Sequence, residues 1–245
     1  MIINLKKFKK TKTVLPLLLG KDSSDKNVIK DLTAFPNLLI MGRTGTGKTK
    51  FIQNLIRSIT NNLSSTKCKF IIFDPKSIEY KRYNNFEHLL CPVVTEAEES
   101  FKQFEAILQI ISNRYKILSD NKVENIAKYH KKISDTDMPY IVVIIDELAD
   151  FISLNKEETE QFIHTLHSVG HTVGIHAIIA SQTTDLSQDI KDSFPAKAVF
   201  QVRTSNDSIS ILGESGAENL SNHGDMLFCE TEKKPVKIHI TNTKN

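Results

Sequence analysis

The 245-residue chain is predicted to form a single α/β domain with a mostly parallel central sheet and helices on both faces. Short apolar runs of strand length alternate with segments of helical periodicity, the pattern of βαβ units. The runs are rich in Ile, Val, Leu and Phe, as strands covered on both faces require. One of them, Pro36 to Met41, leads through a Gly-rich loop into a helical pattern, the strand–loop–helix unit of α/β folds.

Strands are expected near 14–19, 37–41, 69–73, 140–145, 175–181, 198–202 and 225–229, with 235–240 closing the chain. Helices are expected at 48–60, at 96–118 and at 156–169, the last entered from a turn at Asn155-Lys156. In 96–118 the residues Phe101, Phe104, Ile107, Leu108, Ile111, Tyr115 and Leu118 recur at helical spacing and read as a core face. The stretches 119–139 and 183–197 are polar. They hold the turn residues Ser134-Asp135-Thr136-Asp137 and Pro195, and are expected to face solvent or partners.

The loop Gly42-Arg43-Thr44-Gly45-Thr46-Gly47-Lys48-Thr49 fits G-x-x-x-x-G-K-[ST] in the setting that motif requires. Glycines at 42, 45 and 47 let the backbone curl so that its N–H groups point at phosphate oxygens, with a helix N-terminus behind them. Lys48 supplies a mobile cation for the β- and γ-phosphates, and the Thr49 hydroxyl is placed to ligate Mg²⁺. Residues 42–49, with Lys50 beside them, are the expected ATP-binding set.

A second, acidic motif lies downstream. Tyr140 to Ile145 is a β-branched strand that delivers Asp146 and Glu147, the Walker B pattern. Asp146 is expected to hold Mg²⁺ directly or through water, and Glu147 to orient and deprotonate the attacking water. The strand through Ile175 ends at Gln182. If it inserts between the loop strand and the acidic strand, Gln182 can report the γ-phosphate, unless it is only a strand end. Asp74, closing the run Phe70 to Phe73, is either a carboxylate at the site edge or a turn former.

Composition narrows the class less than the motifs do. Lys and Arg total 32 against 29 Asp and Glu, a balance of +3 that is too mild to require a polyanion partner. Cys68, Cys91 and Cys229 are odd in number and far apart, so neither a disulfide framework nor a zinc pair is indicated, and a reducing cytoplasm suits them. No run reaches the length of a membrane span, and the start lacks a signal-peptide core, so no membrane entry is expected. Residues 1–13 form a basic arm with lysines at 6, 7, 9, 10 and 12, read as solvated, or as a contact for nucleic acid or acidic lipid.

Taken together, Leu19-Gly20-Lys21-Asp22, the loop 42–49, Asp74-Pro75-Lys76, Pro139 to Asp150, Gly174-Ile175-His176, Ala180-Ser181-Gln182, Ala217-Glu218 and Gly224-Asp225-Met226-Leu227 resemble the FtsK/SpoIIIE family of DNA-pumping ATPases. The resemblance implies a RecA-like P-loop NTPase fold over 14–245, acting as a core motor domain alone. It also implies a ring, usually a hexamer, with ATP and Mg²⁺ bound between subunits and duplex DNA in the pore. At 171, three residues before Gly174, the family typically carries an arginine that reaches the neighbouring subunit's nucleotide. Here His171 stands there, so slow hydrolysis is expected unless another basic group substitutes.

Basic residues expected to face the pore are replaced by Thr183, Ser205 and Ile209, which leaves Lys191 and Arg203 as candidate DNA contacts. Segment 183–197 has Asp185, Asp189 and Asp192 against Lys191 and Lys197, so its charge gives little support for DNA as cargo. His164, His167 and His171 would share one face of a continuous helix, yet lack the partners of a zinc site. His223 has no partner by spacing. Three readings are open: an ATP-driven DNA translocase, a conjugation or secretion coupling ATPase moving protein or protein–DNA cargo, and a nucleotide-gated assembly protein that barely hydrolyses ATP.

Overall fold

A computed structural model describes residues 13–133, 137–221 and 223–241. In chain order the strands and helices are β1 (Pro16–Lys21), β2 (Asn27–Asp31), β3 (Asn37–Met41), α1 (Lys48–Thr60), β4 (Cys68–Phe73), α2 (Ala97–Asp120), α3 (Ile126–Lys132), β5 (Tyr140–Ile145), α4 (Leu148–Leu154), α5 (Lys156–Ser168), β6 (Ile175–Ser181), α6 (Gln188–Asp192), β7 (Ala196–Val199), α7 (Ser205–Leu212), β8 (Asp225–Glu230) and β9 (Val236–His239). The basic arm at 1–13 lies outside the described residues except for Thr13, as do the turn residues Ser134, Asp135 and Thr136. Two compact units divide the chain: residues 1–63 with 178–245, and residues 64–177, the boundary falling within β6.

In the first unit the strand order is β2-β1-β9-β8-β7-β3-β6. Here the expectation of a RecA-like, mostly parallel sheet is corrected: the sheet is mixed. β3 pairs β7 in parallel, but β1–β2, β1–β9, β7–β8 and β8–β9 are all antiparallel. For β1–β2 and β8–β9 the physical reason is connection length. β1 and β2 are joined through 22–26 and β8 and β9 through 231–235, spans that can close a hairpin but cannot hold the crossover a parallel pair needs.

The β1–β2 turn is built locally by Asp22, whose Oδ1 accepts the N–H groups of Ser24 and Lys26 at 2.8 and 3.0 Å. β2 is not expected from the sequence. Its residues Asn27-Val28-Ile29-Lys30-Asp31 are exposed or half-buried at the sheet edge, so the apolar signature of an inner strand is missing.

α1 forms because Phe51, Ile52, Leu55, Ile56 and Ile59 recur on one face, and all five are buried. Ser58 fixes this helix to β1: its Oγ accepts the Leu18 N–H at 3.0 Å and donates to the Pro16 carbonyl at 2.9 Å. Replacing it by alanine leaves two buried backbone groups without that partner. Ser58→Ala is expected to cost about 1–3 kcal/mol in denaturant unfolding, whereas loss of a dispensable surface hydroxyl would cost nothing measurable.

In the second unit the order is β6-β5-β4, with β4 and β5 parallel from Cys68↔Tyr140 to Phe73↔Ile145. Its core is aromatic: Phe104 stacks on Phe162 with centroids 4.0 Å apart, and Phe73, Phe104 and Phe151 pack edgewise or tilted at 5.1–6.1 Å. This cluster anchors the end of β4 and the start of α4, the two places from which acidic residues emerge. On α2, Phe104, Ile107, Ile111 and Leu118 are buried as expected, whereas Tyr115 is 40% exposed.

Arg114 takes the next inward position on α2. Its guanidinium donates to the carbonyls of Val173 (2.9 Å) and Pro139 (2.8 Å), and burial lowers its pKa to about 10, so it stays charged. α3, α4, α6 and α7 are not expected from the sequence. Each has five to eight residues, too short to show several turns of periodicity.

Candidate functional site

In the first unit, β3 is buried along its whole length and runs directly into the loop 42–49. Gly42, Gly45 and Gly47 have φ of +148°, +79° and +115°, which side-chain-bearing residues rarely adopt. Gly42 must also be small: a Cβ there would sit 2.7 Å from the Cβ of Phe200. A Cβ on Gly45 would meet nothing within 4 Å, so its positive φ curls the backbone beside open space. Gly47 is the N-cap of α1 and offers no side chain to its first N–H groups.

Lys48 is 8% exposed, and its ammonium donates to the carbonyls of Gly42 (2.6 Å) and Arg43 (3.0 Å), lying back across the loop. Thr46 Oγ1 donates to the Arg43 carbonyl at 2.8 Å, Thr49 is half-buried in the first turn, and Lys50 is exposed beside it. An uncapped helix N-terminus, a curled glycine backbone and a reachable lysine fit a nucleotide's phosphates.

Two cavities border this loop within the first unit. One, of about 200 Å³, is lined by Arg43 to Thr46, Gln201, Ser221 and His223. The Gly224 N–H donates to the Thr46 carbonyl at 3.0 Å and the Ile240 N–H to the Gly224 carbonyl at 2.8 Å, which binds the β8–β9 hairpin to the loop. His223 therefore reaches the loop from some 180 positions away in sequence, with no local pattern to flag it. The other cavity, of about 450 Å³, is lined by Arg43, Thr44, Gln182, Arg203 and their neighbours. Gln182 lies just past β6, the neighbour of β3, and its Oε1 accepts the Thr44 hydroxyl at 2.6 Å.

The second unit holds the carboxylates. Asp146 and Glu147 leave β5 in succession. Asp146 Oδ1 accepts the Tyr80 hydroxyl at 3.2 Å. Its pKa is pushed up to about 6, chiefly by burial and further by the charges of Asp74 and Glu79, against the Tyr80 hydrogen bond and Lys76. The same contact and burial raise Tyr80 well above the usual phenol value, burial being the larger cause.

Glu147 is 4% exposed and stands at the N-cap of α4 without capping it. The Lys76 ammonium lies 3.8 Å from its Oε2. Asp74 is fully buried: Oδ2 accepts the N–H groups of Glu79 and Tyr80 at 3.0 and 3.1 Å, while Oδ1 accepts no hydrogen bond from a described residue. It forms a turn, and its charge raises the pKa of Asp146. Tyr80, six residues beyond Asp74, carries no signal in the sequence.

The remaining candidates are more scattered. α5 ends at Ser168, so His171, exposed in a 3₁₀ turn over Gly170–Val173, does not share a helix face with His164 and His167. Lys191 is 7% exposed and its ammonium donates to Ser210 Oγ at 2.7 Å, whereas Arg203 is exposed. Ser205 opens α7 and Ile209, 48% exposed, lies along it. No described helix is long and apolar enough to cross a membrane.

A strand, glycine loop and helix of this kind, together with an apolar strand ending in two acids, are the parts of a P-loop ATPase. The chain belongs to the FtsK/SpoIIIE family, whose model matches residues 2–186. It is 39% identical over 222 residues to the DNA translocase FtsK of Borreliella burgdorferi, covering 87% of this chain and 28% of that one. The chain spans 28% to 37% of the length of the curated relatives compared with it.

Two solved structures share its fold. The pCW3 conjugation coupling protein TcpA, in its monomer form with ATPγS, superposes with a TM-score of 0.82 at 22% identity, over 94% of this chain and 66% of that one. The cytoplasmic domain of the Type VII secretion ATPase EccC from Thermomonospora curvata superposes with a TM-score of 0.85 at 16% identity, over 98% of this chain and 30% of that one. Family membership implies binding of ATP with Mg²⁺.

Proposed function

We propose that residues 14–245 act as the ATP-hydrolysing motor core of a ring-shaped cytoplasmic assembly that moves macromolecular cargo, in the manner of a coupling or secretion ATPase acting on protein or protein–DNA complexes. The triphosphate lies on the backbone of 42–49, with Lys48 on its β- and γ-oxygens and Gln182 reading the γ-phosphate through its contact with Thr44. Thr49 in the first unit and Asp146 in the second are each candidate ligands for Mg²⁺, which would neutralise charge on the phosphate oxygens. Glu147 orients and takes the proton of the attacking water. His171 is the candidate offered to a neighbouring subunit.

One observation carries the choice of cargo. Segment 183–197 has three aspartates against two lysines, and one of those lysines, Lys191, is buried against Ser210, so little positive charge is left to track a phosphate backbone. A second reading, translocation of duplex DNA by a hexamer, is favoured by the 39% identity to a protein named a DNA translocase, and by the exposed Arg203.

An ATPase assay with and without duplex DNA, at two salt concentrations, separates the readings. The coupling reading expects basal turnover that DNA changes less than about twofold, and captured cargo that survives nuclease treatment. Stimulation by DNA that falls steeply with salt would replace it by the second reading. Absence of any turnover, with ATP still driving oligomerisation, would leave only the nucleotide-gated assembly protein.

A further inference from the structure

Two guanidinium groups belong to residues that line the cavity of about 450 Å³ beside the loop, Arg43 and Arg203. Neither forms a hydrogen bond or ion pair with any described residue, although a carboxylate, Asp207, lines the same cavity. Asp207 is committed elsewhere: it accepts the Thr184 hydroxyl at 2.7 Å and the Thr204 N–H at 2.9 Å, closing the capping box of α7. Two arginines on one polar cavity, with the acid that lines it already hydrogen-bonded, leave positive charge available to an anion from outside the chain.

Strand register says which anion. β3 and β7 run parallel from Leu38↔Ala196 to Met41↔Val199, and the pairing continues past both strands, Phe200 donating to the Met41 carbonyl at 2.8 Å and Arg43 to the Gln201 carbonyl at 3.0 Å. Parallel strands place their C-terminal loops at the same end of the sheet, so Arg203 emerges beside the loop itself. Gln182 and Thr44, the pair assigned to the γ-phosphate, line the same cavity and touch each other.

We propose that Arg203 is a catalytic arginine supplied from the same chain, its guanidinium bound to the γ-phosphoryl oxygens of ATP and stabilising the charge that builds on them during hydrolysis. This rests on the ATPase reading above. A planar, permanently charged fork suits three equatorial phosphoryl oxygens better than lysine does, and arginines acting within one chain are a known arrangement in phosphoryl transfer. The shared chemistry is a phosphate oxygen, which nucleic acid could also supply, so the test separates the two sources.

Wild-type, Arg203→Gln and Arg203→Lys proteins are compared in three measurements without DNA: kcat, affinity for ADP, and affinity for ATPγS. A fourth measurement is the salt dependence of binding to duplex DNA. Arg203→Gln is expected to lower kcat about 10²- to 10³-fold and to reduce the preference for ATPγS over ADP. ADP affinity should stay within about twofold and thermal unfolding should be unchanged; Arg203→Lys recovers little of kcat.

Unchanged kcat and nucleotide preference overturns the proposal. If DNA affinity and its salt slope fall instead, the arginine serves nucleic-acid phosphate. If the wild type hydrolyses nothing, the hydrolysis reading fails, and the ATPγS-to-ADP preference still decides whether Arg203 meets a γ-phosphate. If the wild type binds neither nucleotide, both are overturned.

Discussion

Glu147→Gln is expected to reduce ATP turnover about 10²- to 10⁴-fold while leaving ATP affinity within a few-fold of wild type. The substitution keeps the size of the side chain and one carbonyl oxygen, but removes the group that can take a proton from water. Stability must be read beside turnover, because Glu147 is only 4% exposed. It heads α4 without a side-chain capping bond, and the Lys76 ammonium, 3.8 Å from its Oε2, is nearly half exposed, so that contact is worth little to stability. Thermal unfolding of the variant, compared with wild type, separates a loss of chemistry from a loss of folding. Steady-state turnover and fluorescent-nucleotide binding on the same preparations check it. Equal turnover in the two proteins would remove Glu147 from the reaction and move the search for a base elsewhere.

The loop 42–49 and the acids at 146 and 147 are legible in the sequence because they are local patterns. Glycine spacing dictates positive φ, and a β-branched run dictates a buried strand with its acids presented at the C-terminal end. Helix α1 is legible at 48–60 because five apolar residues on one face leave no other arrangement. Strand direction is where the reading fails. Alternation of strands and helices argues for parallel pairing, yet the spacing from 230 to 236 is too short for a crossover, and that local signal outweighs the alternation. Tyr80, His223 and the cavity role of Arg203 are illegible for a different reason. Each is defined by partners far away in the chain, and pairing across such distances leaves no periodicity to find. Lys191 shows the converse: its charge is plain in the sequence, but only the fold reveals that it is spent on Ser210.

Asp146→Asn is expected to make the protein free of metal and nucleotide more stable while abolishing turnover. The physical cause is burial. An ordinary aspartate titrates near 3.8; here desolvation, with Asp74 and Glu79 adding to it, raises Asp146 to about 6. A carboxyl whose folded pKa lies above its unfolded value binds protons more tightly in the folded state, so stability falls as pH rises between about 4 and 6, and the whole penalty is present above that range. At 1.36 kcal/mol per pH unit the penalty is at most about 3 kcal/mol, and about 1–2 kcal/mol once the solvent that reaches this partly exposed group is allowed for. Asparagine cannot ionise, yet it retains an oxygen that can accept the Tyr80 hydroxyl, so the substitution removes the penalty and keeps the contact. Melting in a chelator at pH 8 should rise by about 2–8 °C for a chain of this length. The gain should shrink toward nothing near pH 4, where the wild-type carboxyl is itself protonated. Adding Mg²⁺ and ATPγS should reverse the order, because a bound cation offsets the charge only in the wild type. A stability gain that ignores pH, or an aspartate more stable than asparagine at pH 8, would contradict the account. Keeping an ionisable group where burial opposes its charge is the stability cost expected of a residue held for function.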